Sequence, residues 1–186
     1  MSNAGDENPP LGETLSSRRG FDGALVHVRV DRVRLPSGRI TTRETVEHPG
    51  SVAIVGVTKS HQVLLLRQSH HAIRRTLLGI PAGTLEPGES PEECARRELV
   101  EETGYRAGRL TQLASYFTSP GYTNERMTIF HGEECEPTSG DIDPDELIRL
   151  VLWPLAEVPR LVTPGPDQIQ EAKTLIGLLL LPRQLG

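Results

Sequence analysis

The sequence of 186 residues contains little cysteine, few aromatic residues and no long apolar segment. Its two cysteines, Cys94 and Cys135, are too few for a disulfide framework or for a closed structural zinc site. The longest apolar stretch, residues 175–181, is too short to cross a bilayer, and the N-terminus lacks the basic and apolar regions of a signal peptide. We therefore expect a soluble, cytoplasmic protein with no membrane partner.

The sequence also lacks an excess of positive charge. Lys and Arg total 20 against 25 for Asp and Glu, which gives a formal net charge of -5. Because binding to nucleic acid depends on a basic surface that contacts the phosphates, no nucleic-acid partner is expected. Glycine and proline are plentiful, with 18 and 15 residues, and this composition favours many short elements over a helical bundle.

The chain is predicted to consist of a flexible tail and one folded domain. Residues 1–20 are polar and show no apolar period, so we interpret them as the tail, and residues 21–186 as a single domain. Valines at alternate positions, followed by a Pro-Ser-Gly turn, predict an antiparallel hairpin over residues 21–47. Further strands are predicted over residues 51–57, 62–66, 110–117, 127–131 and 147–153.

Two helices are predicted among the strands. The second spans residues 167–181 and has apolar residues at helical spacing, which indicates a packing role. The mixture of strands and helices lacks a regular βαβ alternation. It therefore predicts a sandwich of the α/β (α+β) class.

The first helix is predicted over Pro91–Thr103 and has clear signals at both ends. Ser90 is a favourable N-cap and Glu93 completes a capping box with it. Gly104 is placed to end the helix in a left-handed conformation.

This first helix carries three carboxylates on one face. Glu98, Glu101 and Glu102 are separated by spacings of three and four, which bring side chains together. Like charges this close need compensation, and a hard divalent ion such as Mg²⁺ supplies it through oxygen ligands. The alternative is a solvated acidic face. Arg97 is placed to pair with Glu101 at a spacing of four.

Residues 83–105 resemble the complete signature of the Nudix hydrolases. Gly83 and Glu89 are followed by Arg97-Glu98-Leu99-Val100-Glu101-Glu102-Thr103-Gly104-Tyr105, which fills every fixed position of that pattern. The resemblance implies an α/β/α sandwich in which a mixed sheet lies between helices, with an N-terminal antiparallel hairpin. It also implies an enzyme that hydrolyses a nucleoside diphosphate linked to another group.

The resemblance also implies a Mg²⁺ site at which Mn²⁺ is a possible substitute. By position, Glu98 and Glu102 would be the main ligands, Glu101 a further or water-mediated ligand, and the carbonyl of Ala82 a backbone ligand. Arg97 would orient these groups, whereas Cys94 is expected to have a structural role.

Segments outside residues 83–105 resemble the ADP-ribose pyrophosphatases. Pro120 matches the downstream marker of that group, and the resemblance implies that Glu125 contacts the distal ribose. Arg67 and His70 are further substrate-binding candidates. The group commonly has Arg-Gln-Tyr-Arg where this chain has Arg67-Gln68-Ser69-His70, and Glu at the position of Gly79. These departures leave another nucleoside diphosphate sugar open as the substrate.

The general base is expected in an acidic loop that follows residues 83–105. The ADP-ribose pyrophosphatases take their base from such a loop, in which Glu146 is favoured here and Asp145 is the alternative. A solvated acidic turn is the other interpretation of that loop.

The resemblance also implies an assembly. It implies a homodimer in which the hairpin over residues 21–47 completes the partner's base-binding site. A housecleaning nucleoside triphosphate pyrophosphohydrolase and a non-catalytic module that senses nucleotide sugars are the other candidate functions.

Overall fold

A computed structural model of the chain describes residues 9–138, 148–166 and 168–181. The chain divides into two compact units, whereas the sequence predicts a single domain over residues 21–186. The N-terminal unit comprises the chain up to His48 together with Thr118–Glu125. The core unit comprises Pro49–Phe117 and the chain from Arg126 onward.

The N-terminal unit contains a sheet of three antiparallel strands, β1 (Glu13–Asp22), β2 (His27–Arg34) and β3 (Ile40–Glu47), in that order. Pairing of β2 with β3 confirms the predicted hairpin. The predicted tail is wrong for residues 13–20, because they belong to β1 and pair with β2. Nearly every residue of β1 is exposed, so the strand has no buried apolar face that would mark it in the sequence. Residues 1–8 lie outside the described part.

The segment Thr118–Glu125 lies beside β3 in the same unit. The N–H of Val46 donates to the carbonyl of Tyr122 at 2.8 Å, and the N–H of Asn124 donates to the carbonyl of Val46 at 3.3 Å. A parallel bridge between Val46 and Thr123 completes this pairing.

Over residues 49–117, 126–138, 148–166 and 168–181, the core unit contains a mixed sheet of eight strands and three α-helices. The strands are β4 (Ser51–Thr58), β5 (Gln62–His70), β6 (Arg75–Gly79), β7 (Ala82–Thr84), β8 (Tyr105–Arg106), β9 (Arg109–Phe117), β10 (Arg126–Pro137) and β11 (Ile148–Pro154). The helices are α1 (Pro91–Thr103), α2 (Val158–Val162) and α3 (Ala172–Leu180). The main strand order is β11-β5-β4-β10-β8, with β6 on β5, β7 on β4 and β9 on β10, and β4 and β10 run parallel.

The helices cover the two faces of this sheet. Side chains alternate along a strand, and β4 is buried along its whole length. Val52 and Ile54 pack in one cluster with Leu99 of α1, while Val55 packs in a second cluster with Leu178 of α3. This arrangement is an α/β/α sandwich with a mixed sheet, which confirms the predicted fold class.

The last helix, three short strands and one short helix differ from the sequence-based prediction. Helix α3 begins at Ala172, because Glu171 has the extended dihedrals φ -120 and ψ 127. The sequence does not predict β6, β7, β8 or α2, since each is too short to show a clear period. Among the described residues, no helix is long and apolar enough to span a membrane.

Candidate active site

Helix α1 has the limits and the caps that the sequence predicts. The hydroxyl of Ser90 accepts the N–H of Glu93 at 3.3 Å, and the carboxylate of Glu93 accepts the N–H of Ser90 at 2.9 Å. Gly104 adopts φ 69 and its N–H donates to the carbonyl of Val100 at 2.8 Å. The predicted capping box and C-terminal glycine are therefore confirmed.

The apolar side of α1 fixes its rotation on the sheet. Cys94, Ala95 and Leu99 are almost completely buried, with exposures of 0%, 0% and 1%. Burial is the main cause that raises the pKa of the Cys94 thiol to about 12, so this side chain stays a neutral thiol. The position of Cys94 in the core agrees with the expected structural role.

Glu102 is the most deeply buried carboxylate of α1. The residue is only 5% exposed, and its Oε2 accepts the N–H of Ala82 at 2.8 Å. A buried carboxylate needs such partners because it has lost hydration. The contact brings Glu102 to the β7 segment that precedes the helix.

Glu98 reaches the same segment from one turn earlier in the helix. Its side chain is 13% exposed, and a Cβ atom built on Gly83 would overlap its carboxylate. Only glycine leaves room for this approach. Glu98 and Glu102 thus lie against two consecutive residues, Gly83 and Ala82.

Arg97 joins the acidic side chains around this segment. Its guanidinium donates to both carboxylate oxygens of Glu89, with Nε at 2.9 Å and Nη2 at 3.0 Å. Its Nη1 donates to Glu98 at 2.8 Å and to Glu101 at 2.9 Å, which confirms the predicted pairing with Glu101. Nη2 also donates to the carbonyl of Thr84 at 3.3 Å.

The fork of Arg97 sets the charge state of Glu89. The hydrogen bond from Arg97 is the main cause that lowers the pKa of Glu89 to about 2. The same hydrogen bond raises the pKa of the Arg97 guanidinium. Both side chains remain charged at neutral pH, so the pair holds the start of α1 against the preceding loop.

The donor set of this site suits a hard divalent cation. Glu98, Glu101, Glu102 and the backbone of Ala82 offer only oxygen ligands, which Mg²⁺ and similar ions prefer. Across the described ranges, no three His, Cys, Asp or Glu side chains converge closely enough to hold a metal ion. In this arrangement Arg97 pairs with Glu98 and Glu101, and the N–H of Ala82 donates to Glu102.

Arg67 and His70 lie on β5 and not on the segment 83–105. Arg67 lines a cavity of about 250 Å³ together with Arg75, Trp153 and Gln168. No residue of the segment 83–105 contributes to the described lining of that cavity. His70 pairs with Arg75 at the end of β5 and is half-buried. The structure therefore does not bring Arg67 together with the carboxylates of α1 in one cavity.

Pro120 and Glu125 belong to the N-terminal unit. Pro120 is exposed, and Glu125 is half-buried and accepts the hydroxyl of Thr118 at 2.7 Å. The sequence did not reveal that this segment packs on β3. Glu146 and Asp145, the base candidates, lie outside the described residues.

One contact of the β6–β7 connection has no counterpart in the sequence analysis. The N–H of Ile80 donates to the hydroxyl of Thr174, which is 94 residues away in the chain. Helical spacing explains why Thr174 lies on α3, but no local pattern indicates its backbone partner.

Comparison with known proteins gives matches over most of the chain. Residues 47–174 match the model of the NUDIX domain, and residues 13–46 match that of the nucleoside diphosphate sugar hydrolase N-terminal domain. The ADP-ribose pyrophosphatase of Bacillus subtilis (strain 168) is 36% identical over 171 residues, which cover 91% of each chain. The methanol dehydrogenase activator of Bacillus methanolicus is 33% identical over 174 residues, which cover 92% of this chain and 93% of the relative. A crystal structure of an ADP compounds hydrolase superposes with a TM-score of 0.83 at 28% identity, and the match covers 96% of both chains.

Proposed function

The chain belongs to the Nudix hydrolase family, and from this premise we propose that it hydrolyses the pyrophosphate bond of ADP-ribose or of a related nucleoside diphosphate sugar. The products would be a nucleoside monophosphate and a sugar phosphate, AMP and ribose 5-phosphate in the case of ADP-ribose. The observation that carries this proposal is the approach of Glu98 and Glu102 to the Ala82–Gly83 backbone. The N-terminal match to nucleoside diphosphate sugar hydrolases supports the substrate class.

The proposed cofactor is Mg²⁺, with Mn²⁺ as a substitute. Glu98 and Glu102 would be its main ligands, with Glu101 and the carbonyl of Ala82 as further ligands. When bound, the ion would neutralise charge that develops on the pyrophosphate and lower the pKa of the attacking water. Arg97 would keep Glu98 and Glu101 in place through the two hydrogen bonds from Nη1.

Proton transfer and substrate binding are assigned to residues outside α1. We assign the general base to Glu146, with Asp145 as the alternative, because the family resemblance implies a base from the acidic loop that follows residues 83–105. Such a base must reach the water that attacks phosphorus. Glu125 offers carboxylate oxygens that can accept hydrogen bonds from ribose hydroxyls. Pro120, Arg67 and His70 are proposed as further substrate contacts on the basis of the family resemblance.

A substrate panel tests the proposed reaction. The purified protein is incubated with ADP-ribose, other nucleoside diphosphate sugars and nucleoside triphosphates in the presence of Mg²⁺, and phosphate monoesters are measured. We expect turnover of at least one nucleoside diphosphate sugar and none without a divalent ion. Faster hydrolysis of triphosphates would favour a housecleaning enzyme, and binding without any product would favour a sensing module.

A homodimer is proposed as the assembly. Every residue of β1 is exposed or half-buried, and Phe21 and Ile40 are 58% and 49% exposed. A three-stranded sheet needs an apolar surface against which to pack. Sedimentation of the full chain at several concentrations is expected to give twice the mass of one chain, and a single-chain mass at all concentrations would reject the dimer. The absence of a nucleic-acid partner and the cytoplasmic location stay predictions.

A further inference from the structure

A buried hydroxyl of α3 supports the connection between β6 and β7. Thr174 is 0% exposed, and its Oγ1 accepts the N–H of Ile80 at 3.0 Å. The same hydroxyl donates to Oε2 of Glu171 at 2.6 Å. A hydroxyl has a single proton, so donation to Glu171 leaves its lone pairs directed at Ile80.

Gly79 makes room for the carboxylate that orients this hydroxyl. A Cβ atom built on Gly79 would overlap Oε2 of Glu171 and lie 3.3 Å from Oγ1 of Thr174. Glu171 is 16% exposed and also pairs with Lys173. A charged group that is so little exposed keeps a fixed position only through such partners. Glu171 therefore has a fixed place between Gly79 and Thr174.

The connection between β6 and β7, which Thr174 supports at Ile80, continues directly into the candidate metal site. Ile80 is followed by Pro81, whose carbonyl accepts the N–H of Ile54 at 2.9 Å. Ala82 then donates its N–H to Glu102, and Gly83 lies against the carboxylate of Glu98. The position of Ala82 and Gly83 is therefore set from β4 on one side and from α3 on the other.

From these contacts we infer that Thr174 and Glu171 are positioning residues for the metal-binding loop, which they support through the N–H of Ile80. The inference rests on the proposed function, in which Ala82, Glu98 and Glu102 bind a divalent ion. Residues that orient the groups around a metal typically contribute about 10-fold to 100-fold to its affinity. Loss of the hydroxyl would leave the N–H of Ile80 buried without an acceptor and allow the loop to shift.

The direct test is Mn²⁺ binding to the full chain, measured from the electron paramagnetic resonance signal of the free ion. Thr174→Val keeps the shape of the side chain but removes the acceptor, and we expect the dissociation constant to rise about 10-fold. Thr174→Ser keeps the hydroxyl and is therefore expected to bind Mn²⁺ with the wild-type affinity. Glu171→Ala frees the hydroxyl to rotate and is expected to raise the constant by a smaller factor.

A matched control separates positioning from general destabilisation. Thr58 is also buried, at 8% exposure, and its hydroxyl accepts the N–H of Gln62 at 3.1 Å at the far end of β4. We expect Thr58→Val to lower the melting temperature without changing Mn²⁺ affinity. Wild-type affinity in Thr174→Val, or an equal rise in Thr58→Val, would overturn the inference. If Thr174→Val does not fold, wild-type affinity in Glu171→Ala overturns it instead.

The same Mn²⁺ measurements distinguish an error in the proposed metal site from an error in the positioning role. If the wild-type protein does not bind Mn²⁺, or if Glu98→Gln binds it as tightly as the wild type, the metal site itself is rejected and the inference with it. If Glu98→Gln loses Mn²⁺ while Thr174→Val and Glu171→Ala keep it, only the positioning role is rejected.

Discussion

Helix α1 buries Cys94, Ala95 and Leu99 against the sheet, whereas the three N-terminal strands bury only Asp31 and Val33. Full burial of one leucine contributes about 1.5–3 kcal/mol to stability, and a surface ion pair contributes about 0–1 kcal/mol. The side-chain contacts of the N-terminal sheet are mainly surface ion pairs, such as that between Arg34 and Glu13 at 2.6 Å. Packing of apolar side chains therefore fixes α1 on its sheet, whereas the described N-terminal strands are held mainly by backbone pairing with one another and by ion pairs.

The largest expected effect is a loss of kcat on substitution of the carboxylates of α1. Glu98→Gln should lower kcat by about 10³-fold, equivalent to about 4 kcal/mol, because a group that stabilises transition-state charge is removed. Glu102→Gln is expected to act in the same direction. The measurement is kcat with the best sugar substrate at saturating Mg²⁺.

Glu92→Gln provides the control on the same helix. Glu92 is exposed and pairs with Arg96 at 2.8 Å. Its substitution should leave kcat within about two-fold, since such exposed pairs contribute little. A wild-type kcat in Glu98→Gln would contradict the ligand assignment.

The next largest effect is expected on stability, and it differs between a buried residue of α1 and an exposed residue of the N-terminal sheet. Leu99→Ala should reduce the free energy of unfolding by about 3 kcal/mol, because it leaves a cavity under α1. At protein concentrations below those at which the proposed dimer forms, Ile40→Ala on β3 should change it by less than about 0.5 kcal/mol, since Ile40 is 49% exposed in the single chain. Urea unfolding of both variants measures the difference. A large loss in Ile40→Ala would show that this side chain is covered, as the proposed dimer would require.

Low pH is expected to reduce the free energy of unfolding through protonation of Glu89, which pairs with Arg97 of α1. The pKa of Glu89 falls from 4.5 to about 2 when it pairs with Arg97 in the folded state. Between these values the unfolded chain binds more protons than the folded one, so stability rises with pH. The contribution of Glu89 is therefore present above about pH 4.5 and lost as the pH falls towards about 2. Urea unfolding at a series of acidic pH values should show a steeper loss for the wild type than for Glu89→Gln, and parallel curves would contradict this assignment.

The smallest effect is expected on the surface of the N-terminal sheet. Arg19 forms an ion pair with Glu47, and both side chains are partly exposed, at 49% and 28%. Arg19→Ala should lower the free energy of unfolding by less than about 1 kcal/mol at low salt and by less still at high salt, because solvent ions screen the pair. Arg18→Ala is the control, since Arg18 is exposed and its contact among the described residues is a 3.5 Å hydrogen bond to a backbone carbonyl. Unfolding at low and high salt checks the difference, and a salt-independent loss in Arg19→Ala would point to packing.

Elements with strong local signals could be predicted from the sequence. Ser90, Pro91, Glu93 and Gly104 act on neighbouring backbone groups, so the limits of α1 follow from residues only a few positions apart. Strand β4 is buried on both faces and is therefore visible as a continuous apolar run. Strand β1 shows no such run, because it is held mainly by backbone pairing with β2.

Local sequence is enough to predict the helix that carries Glu98, Glu101 and Glu102, since helical spacing places these side chains together. The backbone that these carboxylates approach, and the groups that support that backbone, depend on packing between elements that are distant in the chain. The contacts of Ala82 with Glu102 and of Ile80 with Thr174 join residues 20 and 94 positions apart. Such contacts form when β4 brings β7 and the covering helices together, and their partners follow from sheet order and packing rather than from any local period.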